Sequence, residues 1–201
     1  MRYLFSGALG AALLMSAPAV FAQAADPSVD TVQSLDSGLL SIMKAGKGAG
    51  VKGRAATIAP VIDRAYDIPL MTRLAIGAKW PTIAPADQTA LVTAFRRMTI
   101  SQYASNFDSY SGESFTVDPK VESRGTDRLV RTTLHVPKGD SVAIAYRLRQ
   151  SGGSWKIIDV FYKNSISQLA TRRADFAGVL ASGGAKALVT HLNALSAKAG
   201  G

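Results

Sequence analysis

The strongest candidate for chemistry in this chain is a carboxylate in an apolar setting. Asp159 interrupts the run Trp155-Lys156-Ile157-Ile158-Asp159-Val160-Phe161-Tyr162, which is apolar on both alternating faces, as expected of a strand covered on both sides. An unpartnered charge buried there costs several kcal/mol or takes up a proton, so Asp159 must be paired, hydrogen-bonded or set against a cavity. With Tyr146 and a nearby arginine it could make an acid–base site. The reading we favour is structural: Asp159 pairs with Arg147 or Arg172 and fixes the joint between this strand and the helix that follows. Other chemistry is poorly supplied. His135 and His191 stand alone, with no second ligand at metal spacing. No Gly-x-Ser-x-Gly, P-loop or Rossmann glycine pattern occurs, and the glycine-rich stretch from Gly46 to Gly53 follows no strand. The chain contains no cysteine, which removes thiol catalysis, iron–sulfur clusters and cysteine zinc sites together. We expect neither cofactor nor metal.

The elements that must position these residues begin after a leader. Residues 1–24 pair one early arginine with a short run of apolar and small residues and end on Ala22-Gln23-Ala24, the pattern of a Sec signal peptide. From Ala25 to Gly201 we expect one exported domain. Without Arg2 it carries 22 basic against 14 acidic side chains, a net charge near +8. In an exported protein such a charge suits anionic lipid or acidic proteins better than nucleic acid.

Asp26-Pro27-Ser28 starts a helix carrying Val32, Leu35, Leu39 and Met43, and a second pattern runs from Arg54 to Tyr66 with Pro60 in its first turn or kinking it. Leu70 to Ala78 makes a third. A loop at Trp80-Pro81 leads to the longest helix, from Ala84-Pro85 through Leu91, Phe95, Met98 and Tyr103. After Ser111-Gly112 the period changes from helical to alternating: Phe115 and Val117, then Val130 to Val136, Val142 to Leu148, and Trp155 to Tyr162, joined by short loops as an antiparallel meander. A helix from Ile166 to Leu180, a break at Ser182-Gly183-Gly184 and a last helix close the chain. Helices, then a curved sheet, then helices packed back on it define an α+β fold able to enclose a cone-shaped cavity.

The ordered set Ile58-Ala59-Pro60, Tyr66-Asp67-Ile68, Met71, Gly77, Trp80, Gln88, Phe95, Tyr103, Tyr110, Trp155 to Val160, Ser165-Ile166-Ser167, Arg173 and Phe176 resembles the MlaC/toluene-tolerance family of periplasmic lipid carriers. The runs VIDRAYDIPLMTRLAIG, RRMTISQYASNFDSYSGE and RQSGGSWKIIDVFYKNSISQLATRRADF look most like its hopanoid-biosynthesis-associated (HpnM) branch. The resemblance implies an α+β, NTF2-like cone whose cavity takes acyl chains, and a non-enzymatic shuttle in the periplasm carrying a phospholipid or hopanoid. Its implied partners are an MCE-type inner-membrane ABC transporter complex and an outer-membrane lipoprotein, with only transient membrane contact. We expect the cavity at Ile62, Tyr66, Leu74, Phe95, Tyr103, Phe107, Val142, Ile144, Tyr146, Trp155, Ile157 and Phe161. Arg147, Arg172 and Arg173 are candidates for the head group or a partner surface. Asn164 replaces the family's usual glycine, and one extra residue between Asp159 and Phe176 leaves open whether Arg172 or Arg173 takes the family arginine's place. Two rivals stand beside this reading: an NTF2-like enzyme acting on an isoprenoid through Asp159 and Tyr146, and a protein-docking module using Arg147, Arg149, Arg172 and Arg173.

Overall fold

The computed structural model describes residues 26–200, so the expected signal peptide lies outside the described residues. Five helices are described: α1 (Pro27–Ala45), α2 (Gly50–Ala65), α3 (Ile68–Ile76), α4 (Pro85–Asn106) and α5 (Gln168–Lys198). Six strands form one antiparallel sheet: β1 (Ser114–Val117), β2 (Glu122–Arg124), β3 (Asp127–His135), β4 (Val142–Ser151), β5 (Ser154–Tyr162) and β6 (Ile166–Ser167). The sheet is curved and open, and the fold is α+β as expected.

Local chemistry sets the helix ends. The Asp26 carboxylate accepts from the Ser28 amide at 2.9 Å, and that of Asp67 from the Leu70 amide at 3.0 Å, each followed within two residues by a proline that fits the first turn. Gly46 ends α1 at φ 63°, a conformation that disfavours a side chain. Its carbonyl accepts from Arg54 Nη1 at 2.6 Å, while Arg54 Nε donates to the Ala104 carbonyl at 2.7 Å. This buried arginine therefore joins the end of α1 to the end of α4. Helix α2 begins four residues earlier than expected, with Pro60 well inside it rather than in its first turn. The proline sits on the exposed face, where water can satisfy the carbonyl one turn back. In α5 the expected break at the glycine pair appears as a kink, with Gly184 at φ 68°.

Strands β3, β4 and β5 form the expected meander. Both β1 and β2 pair with one edge of β3, β1 with Thr132–His135 and β2 with Asp127–Leu129. They are separated around Pro119, which has no N–H to donate to a ladder. A bulge in β5 decides which residues face the helices. Arg147 pairs with Asp159 and Leu148 with Ile157, leaving Ile158 as the extra residue. Simple alternation puts Ile157 and Phe161 on one face; the bulge puts Ile157, Val160 and Tyr162 together on the helix side and Phe161 opposite, across from Ala145. The sheet is not helix-covered on both sides as expected. Its outer face carries Arg147 and Arg149, with side chains 42% and 36% exposed.

Asp159 does fix the strand-to-helix joint, but not through an arginine. Its carboxylate accepts from Ser167 Oγ at 2.6 Å, from the Leu169 amide at 3.0 Å and from the Val160 amide at 2.8 Å. Ser167 in turn caps α5 by accepting from the Ala170 amide at 2.9 Å. Asp159→Ala removes the acceptor of these three donors, and we expect urea unfolding to show a loss of about 2–4 kcal/mol.

Candidate functional site

Helices α1, α3, α4 and α5, with Tyr66 at the end of α2, clasp the inner face of β3, β4 and β5 around an open-mouthed cavity of about 480 Å³. Its wall is mainly apolar. The buried residues Leu39, Tyr66, Met71, Phe95 and Tyr146 make the closed end, whereas half-buried Phe107, Leu134 and Val142 and exposed Tyr162 mark the opening. Ile144 and Val160 lie between, on adjoining strands. Tyr103 stacks on Phe107 with ring centroids 5.9 Å apart, and Phe95 meets Phe176 edge to face at 6.1 Å, which holds α4 against α5.

Polar groups on the wall are few and placed. Arg172, on the second turn of α5, donates from Nη2 to Gln102 Oε1 and from Nη1 to Met98 Sδ at 3.4 Å. Among the described residues it has no carboxylate within salt-bridge reach. Burial holds its guanidinium below the ordinary arginine range, with Asp175 and Tyr103 pulling the other way. A guanidinium so placed has the chemistry to pair with an anionic group. Deeper, the hydroxyls of Tyr66 and Tyr103 are hydrogen-bonded to each other, and Tyr146 presents a phenol to the cavity.

Behind these tyrosines lies a group that the sequence reading missed. Asp36 on α1 is 3% exposed; its Oδ2 accepts from Thr132 Oγ1 at 3.0 Å and its Oδ1 has no partner among the described residues. Burial pushes this carboxyl up to about 7, against the hydrogen bond from Thr132. The signal was present: Asp36 falls with Val32, Leu35 and Leu39 on the apolar stripe of α1, where a carboxylate has no ordinary reason to be.

Of the residues expected at the cavity, Tyr66, Phe95, Tyr103, Phe107, Val142, Ile144 and Tyr146 come together on its wall, joined by Arg172. Five lie elsewhere. Ile62 and Ile157 are fully buried in the packed core, and Leu74 is half-buried on α3 outside the wall. Trp155 lies near the far end of β5, with the Arg128 guanidinium 5.1 Å from its ring centroid. Phe161 is carried to the outer face by the bulge. The wall residues that went unnamed are Leu39, Met71, Thr99, Gln102, Asn106, Leu134, Val160, Tyr162, Gln168 and Leu169.

The two other expected arginines leave the cavity. Arg147 and Arg149 both bind the buried Asp127, at 2.5 and 2.6 Å, on the outer face. Burial alone would raise the Asp127 carboxyl; hydrogen bonds from Arg149 and Arg147 outweigh it and hold the group below its usual range. Arg173 is exposed and lies over Gly77, where a Cβ would come within 2.6 Å of its guanidinium. The pairing of Asp159 with Tyr146 also fails, since the carboxylate is spent on the joint while the phenol faces the cavity.

Helices clasped on one face of an open sheet, with an apolar chamber between, define a binding protein for a small ligand with an apolar body. The MlaC protein family model matches residues 33–194, and the chain belongs to that family. Its fold is similar to that of a phospholipid-binding protein from Ralstonia solanacearum, solved in complex with a phospholipid. The two superpose with a TM-score of 0.76 at 23% sequence identity, covering 88% of this chain and all of the other. No curated protein matches the sequence. Among the described residues, no helix is long and apolar enough to cross a membrane, and no group of three or more histidines and acids could hold a metal ion.

Proposed function

We propose that this protein is a periplasmic lipid carrier, which holds a phospholipid with its acyl chains in the cavity and its phosphate at Arg172. The observation that carries the reading is the Arg172 guanidinium, which among the described residues has no carboxylate partner, at the wall of a mainly apolar, open chamber. Family membership and the phospholipid in the Ralstonia protein support it. The energetics suffice. Ten methylenes taken out of water contribute about 8 kcal/mol, enough to retain a lipid with no covalent bond. Tyr66, Phe95, Tyr103, Phe107, Val142, Ile144 and Tyr146 are the chain-contacting residues in this account. Arg172, rather than Arg173 or Arg147, is the head-group residue.

The shuttle would load and unload at an MCE-type ABC transporter complex in the inner membrane and at an outer-membrane lipoprotein, touching membranes only in passing. A hopanoid-type cargo is the variant that the likeness of residues 61–77, 96–113 and 149–176 to the hopanoid-associated branch favours. The test is transfer of a fluorescent phospholipid between donor and acceptor vesicles. Wild type should accelerate it in proportion to protein concentration. Arg172→Ala should weaken phospholipid binding by about ten- to hundredfold, the worth of a charge-assisted hydrogen bond of roughly 1.5–3 kcal/mol. A protein that leaves the transfer rate at its spontaneous value contradicts the reading.

A further inference from the structure

The closed end of the cavity is not what a plain hydrocarbon chain requires. Tyr146 is 1% exposed and lines the cavity; among the described residues its hydroxyl makes no hydrogen bond, yet it is not among the fully enclosed unpartnered atoms. The Tyr66 and Tyr103 hydroxyls bond to each other, and such a pair uses only one of its two protons. Two O–H donors are therefore left at this end, one on Tyr146 and one on whichever tyrosine accepts. Hydrocarbon packed against them would leave both orphaned, at about 1–3 kcal/mol apiece.

We infer that Tyr146, with the Tyr66–Tyr103 pair, forms a subsite for a hydroxyl or similar neutral oxygen function carried on the apolar body of the ligand, beyond its anionic head. The donors persist at any working pH. Burial raises Tyr66 and Tyr146 well above the ordinary phenol value and Tyr103 to about 12, and the nearby Asp36 carboxylate adds to all three. A bound hydroxyl oxygen accepts from Tyr146, and its own proton has the phenol oxygens as acceptors. The lipids selected are then those oxygenated away from the head group. This rests on the carrier reading and names the class of lipid within it.

The test compares two soluble probes of equal length, dodecyl phosphate and ω-hydroxydodecyl phosphate, by calorimetric titration of wild type and Tyr146→Phe. A terminal hydroxyl entering a purely apolar pocket weakens binding; here wild type should bind the hydroxylated probe at least as tightly as the plain one. Tyr146→Phe should weaken the hydroxylated probe by about tenfold relative to the plain one. Because the Tyr146 hydroxyl holds no protein partner, the variant should keep its thermal midpoint. The subsite is overturned, with the carrier reading intact, if wild type favours the plain probe by tenfold or more, or if Tyr146→Phe changes both probes alike. Binding of neither probe overturns the carrier reading and this inference with it.

Discussion

Ile144→Trp should deplete the protein of lipid and leave the fold standing. Ile144 is half-buried on β4, across from Tyr162, with its side chain on the wall midway between the closed end and the opening. An indole there projects into empty space instead of into packed neighbours, so the overpacking cost of about 1–3 kcal/mol that attends a core enlargement is largely avoided. Phospholipid affinity should fall at least about tenfold while the unfolding free energy moves by less than about 1 kcal/mol. Ile157→Trp, two strand positions before Asp159 in a fully buried site, is the contrast: it should destabilise by the full core penalty. If Ile144→Trp unfolds like Ile157→Trp, the cavity wall is packed core and the account of the site fails.

The second large effect is on stability and depends on pH. The unfolded chain loses the Asp36 proton near 3.8 and the folded chain near 7. Between those values the unfolded state binds fewer protons, so stability falls as pH rises from about 4 to 7 and stays low above it. At about 1.4 kcal/mol per pKa unit, the ionised form costs up to roughly 4 kcal/mol at pH 8. Asp36→Asn keeps an acceptor for Thr132 and cannot ionise, though its amide is itself buried without a partner, at about 1–3 kcal/mol. We expect the variant to fall about 1–3 kcal/mol below wild type near pH 4 and to exceed it by about 1–3 kcal/mol at pH 8. Urea denaturation at several pH values checks this. An unchanged pH slope in the variant would show that Asp36 does not titrate between the tyrosines and Thr132.

Period and punctuation made most of the fold legible. The alternation of Val130, Thr132 and Leu134 and of Val142, Ile144 and Tyr146 marks β3 and β4, and Asp26-Pro27 and Asp67-Ile68-Pro69 mark helix starts, because these depend on neighbours in sequence. The site was legible only in part, for three physical reasons. A single extra residue in β5 reverses the faces of everything beyond it, and no local signal announces a bulge; Phe161 was lost to that. Ile62 and Ile157 have the same residue type whether they fill a core or line a chamber, and only packing tells them apart. Polar wall residues were overlooked on α4, where Thr99, Gln102 and Asn106 recur at helical spacing on the side that also bears Phe95 and Tyr103. A helix face that mixes amides with aromatics is what a ligand-binding wall looks like. Likewise, the acid of Asp159 drew attention because it broke a strand, while that of Asp36, breaking a helix stripe, carried the larger energetic consequence.

The most direct test of the central claim is to purify residues 25–201 from a bacterial periplasm, extract the denatured protein with organic solvent and identify the released lipid by mass spectrometry. The account predicts near-stoichiometric phospholipid, or another anionic lipid, from wild type, and little or none from Ile144→Trp purified in parallel. Wild-type protein that emerges folded and free of lipid, and that takes up none from phospholipid vesicles, would contradict it.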